Sequence, residues 1–309
     1  MHWTAVVNPG AGRRGRRGDL NRLRDALVER EVEVRITASA EAGRTVAEAA
    51  FERGEGVLAC GGDGTVRVLA DVAARCGGLL GLVPMGAGND FARALGIDHR
   101  RPLAALDLLE RGVEARVDLG RARTADGTVE TFTTVANAGF DSEVNRWANT
   151  VSRLSGTTLY LVATLRTIGG YRPTAMRITT DGAVHEGRTW LVAIGNSASY
   201  GGGMRITPAA HPTDGLFDVV IVGDLPRHRV VIHFPRVLRG THLAVRGVHH
   251  FTGRTVTVTG TPGQDLYASG ERIGPLPATV EVLPGALRVL VPADSPALPD
   301  GPEGVVTKR

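Results

Sequence analysis

The residues of this 309-residue chain that can do chemistry gather where short apolar runs break into glycine. Val57-Leu58-Ala59-Cys60 leads into Gly61, Gly62, Asp63, Gly64 and Thr65, so one carboxylate and one hydroxyl stand among glycines at a strand end. Without Cβ atoms, backbone N–H groups can approach anionic oxygens; Asp63 suits Mg²⁺ or a substrate hydroxyl, and Thr65 can donate a hydrogen bond. Taken alone, the turn serves equally as a tight strand-to-helix connection. Two further loops of the same kind exist. Trp3 to Val7 reads as a strand and runs into Asn8, Pro9, Gly10, Ala11 and Gly12. Arg13, Arg14, Arg16 and Arg17 follow, next to a helix start suited to polyphosphate. Arg13, closest to the glycines, is the candidate contact; Arg16 and Arg17 read as solvated. Leu79 to Val83 runs into Gly86, Ala87, Gly88, Asn89 and Asp90. Ligands of open α/β sheets collect beyond the carboxyl ends of the strands, so three such loops suggest one phosphate site. The spacing is neither that of a P-loop nor that of a dinucleotide fingerprint.

The elements that must position these loops change character near residue 120. Before it, strands alternate with helical stretches (Leu20 to Val28, Thr45 to Arg53, Val66 to Ala74, Leu103 to Glu110), the pattern of a mostly parallel three-layer α/β sheet. After it strands dominate: Thr131 to Ala136, Ala175 to Thr180, Trp190 to Ile194, Asp218 to Val222, Thr255 to Thr259, Thr279 to Leu283 and Ala286 to Val291. Leu154 to Ile168 and Arg227 to Leu238 read as helices, the second interrupted by Pro235.

With 42% hydrophobic residues the chain can bury a large core in two domains. No apolar run reaches the roughly 18 residues of a membrane span, and no signal sequence opens the chain, which predicts a cytoplasmic protein. Cys60 and Cys76 fit no zinc spacing and read as small reduced core residues. The net charge of +4 rests on arginine, Lys308 being the sole lysine. That suits ATP and an anionic membrane surface; with 5% aromatics and no basic-aromatic interleaving, no nucleic acid is expected. The histidines, His249 and His250 included, lack ligand spacing. The basic, apolar stretch Arg227 to Arg254 is either a face for anionic lipid or a solvated surface.

A fourth motif lies downstream. The strand Trp190 to Ile194 is followed by Gly195-Asn196-Ser197, Gly201-Gly202-Gly203-Met204 and Asp214-Gly215-Leu216-Phe217-Asp218. With these four ordered motifs the chain, from Val7 to about Pro292, resembles the diacylglycerol kinase family of lipid kinases, more distantly the sphingosine and ceramide kinases. The resemblance implies an α/β nucleotide-binding domain (1–121), a β-sandwich lipid-substrate domain (122–292) with the active site in the cleft between the two, and a C-terminal tail (293–309). It implies ATP and Mg²⁺ as cofactors, a lipid substrate, peripheral membrane association, and leaves room for a homodimer. Asn8 to Gly12, Arg13, Ser39, Gly61 to Thr65, Gly88 and Asn89 would hold ATP. Asp63, Asp90 and Asp118 would form a network around metal-bound water, with Asp90 serving equally as a helix cap and Asp118 as a plain strand-end acid. His211 and Leu216, through their carbonyls, and Asp214, through its carboxylate, would form a second metal site; a plain Asp-Gly turn is the alternative. Glu271 is implied as the proton acceptor and, with Asp63, as catalytic.

The chain departs from the family pattern at Ser269-Gly270-Glu271, where relatives carry Asp-Gly-Glu, at Ala87 for a nucleotide-bonding Thr, and at Arg67-Val68 for Asn-Glu. Three functions follow as expectations. The first is ATP-dependent phosphorylation of diacylglycerol or a related lipid. The second is phosphorylation of a soluble substrate, as in NAD kinases, which share the Gly-Gly-Asp-Gly turn. The third is a catalytically impaired nucleotide- or lipid-binding homologue.

Overall fold

A computed structural model describes residues 1–10, 17–140, 142–144 and 166–298. The chain divides into two compact units, 1–117 with 285–309, and 118–284.

In the first unit, β1 (Trp3–Val7), β3 (Gly56–Gly61) and β4 (Leu79–Pro84) are apolar along nearly their whole length and buried, as strands covered on both faces must be. They pair in parallel, with β2 (Glu33–Ile36) as the exposed edge beside β1 and the end of β15 (Ala278–Val291) beside β4. The register sets Val7 opposite Cys60 and Gly61 opposite Pro84, which aligns the carboxyl ends of the three central strands. Helices α1 (Arg17–Val28), α2 (Ala40–Glu52) and α3 (Asp63–Cys76) connect them. Leu23 and Leu27 of α1 pack with Val7, Leu58, Cys60 and Leu106. Of the stretch Leu103 to Glu110 expected as helical, the part up to Asp107 belongs to a 3₁₀ helix opened by Pro102 (Pro102–Asp107), and α-helix covers Leu108–Arg111. Cys60 is core, and burial pushes its thiol up to about 12. Cys76, contrary to expectation, is exposed at the last turn of α3, because the helix ends one residue later at Gly77 in the left-handed conformation.

The second unit is antiparallel. One ladder runs β14 (Glu271–Pro275), β13 (Asp265–Ala268), β7 (Val135–Gly139), the second half of β9 (Val184–Gly195), β10 (Phe217–Gly223) and β11 (Val248–Gly253). Another runs from the first half of β9 through β8 (Thr174–Thr180) and β12 (Thr255–Thr259) to β15. Side chains of both ladders, among them Ala136, Ala138, Val192, Val219, Ile178 and Val256, fill one core, as in a sandwich. β5 (Val113–Thr124) and β6 (Val129–Phe132) form a hairpin beside it.

Helix α6 (Arg227–Arg239) continues through Pro235, against the expected interruption. Val230, Phe234 and Val237, at helical spacing, pack onto apolar clusters of this unit, and that burial offsets the one backbone hydrogen bond proline removes. The residues 154–165 of the other expected helix lie outside the described residues. Two short helices of the first unit are α4 (Asp90–Ala94) and α5 (Leu108–Arg111).

Candidate functional site

The three strand-end loops of the first unit are wired together. Asn8 continues the ladder through its N–H to the Cys60 carbonyl (3.1 Å); its Nδ2 donates to Thr65 Oγ1 (3.1 Å) and its Oδ1 accepts from Gly10 N (2.9 Å). Asp63 reaches the third loop, where its two oxygens accept from the backbone N–H groups of Asn89 (2.8 Å) and Asp90 (2.9 Å). Asn89 itself is in the left-handed conformation (φ 53°), and its amide brackets Gly86, accepting from Gly86 N and donating to Gly86 O, both at 2.8 Å. Desolvation pushes the Asp63 carboxyl above its ordinary range, and the backbone N–H groups pull it back.

Glycine is required here by contact. A Cβ on Gly61 would stand 2.5 Å from Thr65 Oγ1, and one on Gly86 would stand 2.5 Å from the Cα of Gly62. The backbones of the second and third loops therefore touch. Helix α3 opens at this point with Gly62 as N-cap and no side-chain cap bond from it; the Asp63 carboxylate takes its own N–H, and the following first-turn N–H groups, which have no intrahelical acceptor, suit an anion. Asp90 is buried at the start of α4, 3.9 Å from Arg93 Nε, and Arg93 also donates to the Gly88 carbonyl (3.2 Å). Ser39 is the N-cap of α2, its hydroxyl accepting from Ala42 N at 3.2 Å. Pro9 and Gly10 are exposed; Ala11, Gly12 and Arg13 lie outside the described residues.

In the second unit, buried Asp118 is tied to the 211–216 loop: its N–H donates to the Pro212 carbonyl (2.7 Å) and its Oδ2 accepts from Gly215 N (2.7 Å). Within that loop Asp214 Oδ1 accepts from Leu216 N (3.1 Å), and His211 Nδ1 meets Thr213 Oγ1 (2.9 Å). Asn196, fully buried, donates to the carbonyls of Asp118 (2.8 Å) and Thr133 (3.1 Å). Ser269 and Gly270 are the two-residue loop of the β13–β14 hairpin, with positive φ at both (51° and 82°), as a type I′ turn demands. Ser269 is anchored by its N–H to the Val135 carbonyl (3.3 Å) and its hydroxyl to that of Thr134 (3.2 Å). Glu271, the first residue of β14, is exposed beside this tip. Among the described residues no group of three or more His, Cys, Asp or Glu is placed to hold a metal ion. His250 instead pairs with buried Asp218.

The outer face of β9 and β10, with α6 over it, encloses a narrow apolar pocket of about 740 Å³, its open mouth included. Trp190, Leu191, Met204, Val222 and Phe234 are among its walls. Buried His242 lines it too, with Nε2 2.9 Å from the Ile206 carbonyl, which only accepts. Desolvation lowers the imidazole pKa, so the ring is neutral and Nδ1, which has no partner, is an acceptor. Neither this pocket nor the burial of Asn196 and Asn137 was read from sequence. The signal was an amide at the end or in the middle of an otherwise apolar strand, as in Val135-Ala136-Asn137-Ala138.

Residues 2–122 match the model of the diacylglycerol kinase catalytic domain, and residues 134–291 match that of the YegS C-terminal NAD kinase beta sandwich-like domain. A "Diacylglycerol kinase" of Mycobacterium tuberculosis is 36% identical over 295 residues, 94% of each chain. A "Probable lipid kinase YegS-like" of Pseudomonas aeruginosa is 34% identical over 283 residues, 88% of this chain and 89% of that one. The crystal structure of a diacylglycerol kinase from Bacillus anthracis str. Sterne superposes with a TM-score of 0.69 at 18% identity, covering 94% of this chain and 97% of that one, a likeness of fold. Matched along both halves and by relatives of nearly equal length, the chain belongs to the diacylglycerol kinase family and is a kinase acting on lipid.

Proposed function

We propose that this chain transfers the γ-phosphate of ATP to the free hydroxyl of a diacylglycerol, giving phosphatidic acid. The observation that carries the reading is the uncapped start of α3, set among glycines whose backbones touch the neighbouring loop. Asn8, Pro9, Gly10, Ala11, Gly12 and Arg13, with Ser39, Gly61 to Thr65, Gly88 and Asn89, bind the nucleotide. The apolar pocket of the second unit supports a hydrocarbon-bearing acceptor over a soluble one. Glu271 takes the proton of the acceptor hydroxyl as its oxygen bonds to the γ-phosphorus and the bond to the β-phosphate oxygen breaks, releasing ADP.

Mg²⁺, when bound with ATP, neutralises phosphate charge. In the first unit Asp63 and Asp90 would hold such a cation through its bound water: Asp90 is buried, and the Asp63 oxygens that accept backbone N–H groups keep lone pairs for water. The carbonyls of His211 and Leu216 with the Asp214 carboxylate are a second all-oxygen set.

Transfer of labelled γ-phosphate to a panel of diacylglycerol, ceramide, sphingosine and NAD tests the acceptor. Diacylglycerol is expected to be labelled fastest; NAD as the best acceptor would favour the soluble-substrate reading. Within the nucleotide site, Gly86→Ala is expected to cost about 1–3 kcal/mol of stability, since its Cβ meets backbone rather than a movable side chain. It should also weaken ATP binding at least tenfold. Thermal melts with and without Mg·ATP check both, and unchanged ATP affinity would remove this loop from the site.

Among the described residues no helix is long and apolar enough to cross a membrane, yet the acceptor is dissolved in one. The outer face of α6 exposes Val231, Ile232 and Leu238 beside Arg236 and Arg239, an amphiphilic surface for an anionic bilayer. Each basic residue near such a surface contributes about 1 kcal/mol, screened by salt. The protein is expected to cosediment with anionic vesicles more than with neutral ones and to be released by high salt. Replacing Arg236, Arg239 and Arg246 together should weaken the attachment and spare ATP binding. Cosedimentation indifferent to lipid charge would move the membrane face elsewhere.

A further inference from the structure

Strand β7 is buried along all five residues, and its side chains alternate. Ala136 and Ala138 enter the sandwich core, whereas Val135 faces the opposite way, into an apolar cluster with Ala193, Tyr200, Met204 and Ile206. Asn137 shares that second face. It is 1% exposed, and neither its Nδ2 nor its Oδ1 has a hydrogen-bond partner. A buried carboxamide with both ends unpaired is destabilising, and native proteins keep few. An apolar side chain of the same volume would fit among these neighbours without that penalty, so the fold alone gives no reason for the amide.

The position supplies one. Asn137 lies opposite Tyr267 on one side and Ala193 on the other. Two residues beyond Tyr267 is Ser269, hydrogen-bonded to Val135, so Asn137 is one pleat repeat, about 6–7 Å, from the hairpin tip that carries Glu271. In the other direction along the same face, Gly139 pairs with Leu191 and Leu191 with Val222, and both of these line the apolar pocket, as do Tyr200, Met204 and Ile206. A group that both donates and accepts therefore stands, on one face of β7, between neighbours that line the apolar pocket and the Glu271 hairpin.

We propose that Asn137 is a positioning residue for the acceptor: its carboxamide hydrogen-bonds the glycerol hydroxyl or the adjoining ester of an acylglycerol whose hydrocarbon chain lies in the pocket. The assignment rests on the reading of the chain as an acylglycerol kinase. Binding supplies the partners that the free protein lacks, and an acceptor without oxygen at that place would leave the amide unpaired, the arrangement that discriminates most strongly.

The test compares full-length wild type, Asn137→Leu and Asn137→Ser, with ATP and dioleoylglycerol dispersed in vesicles. Asn137→Leu is expected to lower kcat/KM for dioleoylglycerol by about 10- to 100-fold, the loss of one or two hydrogen bonds to the substrate. KM for ATP should stay unchanged and Tm should hold or rise, since an unpaired polar group is removed. Asn137→Ser, which puts a hydroxyl that can donate and accept in place of the carboxamide, should recover part of the loss. Wild-type kcat/KM in Asn137→Leu, or a fall in Tm with a matching rise in KM for ATP in both variants, would overturn the role of Asn137 alone. Absence of transfer to dioleoylglycerol by the wild type would overturn the kinase reading beneath it, and the proposal with it. Should Asn137→Leu fail to fold, the kcat/KM and Tm of Asn137→Ser decide in the same way.

Discussion

Glu271→Gln is expected to reduce phosphoryl transfer by about 10²–10⁴-fold, the usual contribution of a positioned general base. The side chain keeps its shape and loses only its ability to accept the proton. Because Glu271 is exposed on the first residue of β14, the fold should be indifferent, and matched thermal melts check this. Ser269→Asp is the companion. Relatives carry Asp there, and the structure gives that Asp a second reason for being: positions 269 and 270 both have positive φ, and Asp tolerates the left-handed region better than Ser. Ser269→Asp should therefore stabilise the hairpin slightly and raise turnover if the missing charge limits the reaction. Wild-type rates in Glu271→Gln would remove Glu271 from the chemistry.

Asp63→Asn is expected to lower transfer by about 10²–10³-fold, comparable with the loss of one preorganised electrostatic contact in an active site. Charge removal was the only consequence visible in the sequence. The structure adds another, since both carboxylate oxygens accept backbone N–H groups from Asn89 and Asp90. An amide would turn its NH₂ toward one of those donors and lose a charge-assisted bond, costing about 1.5–3 kcal/mol. The expected result is a folded protein with lowered Tm and a third loop less firmly held, assayed well below that Tm. Full activity at matched stability would contradict both roles.

The contrast between those residues says what the sequence could carry. The glycine loops after β1, β3 and β4 were legible because a buried parallel strand and its terminal glycines are local features with their own composition. The bond from Asp63 to residues 26 and 27 positions later is not local, and no periodicity reveals it. Pro235 misled for a related reason: a helix break is a local rule, but the packing of Val230, Phe234 and Val237 that overrides it is tertiary. Thr279 to Leu283 and Ala286 to Val291, read as two strands, are one, β15, which runs through Pro284 and Gly285 without a break. Ser269 looked like damage to a catalytic motif, whereas its φ of 51° identifies the position as a turn residue first. Asn137 was passed over in an apolar run. Only burial without partners makes it conspicuous.

The most direct measurement is single-turnover transfer from γ-labelled ATP to diacylglycerol in anionic vesicles, by the wild type and by Glu271→Gln side by side. Label appearing in phosphatidic acid with the wild type, and at least a hundredfold more slowly with Glu271→Gln, is the predicted result. Label released only as inorganic phosphate, or found in phosphatidic acid at equal rates with both proteins, would contradict it.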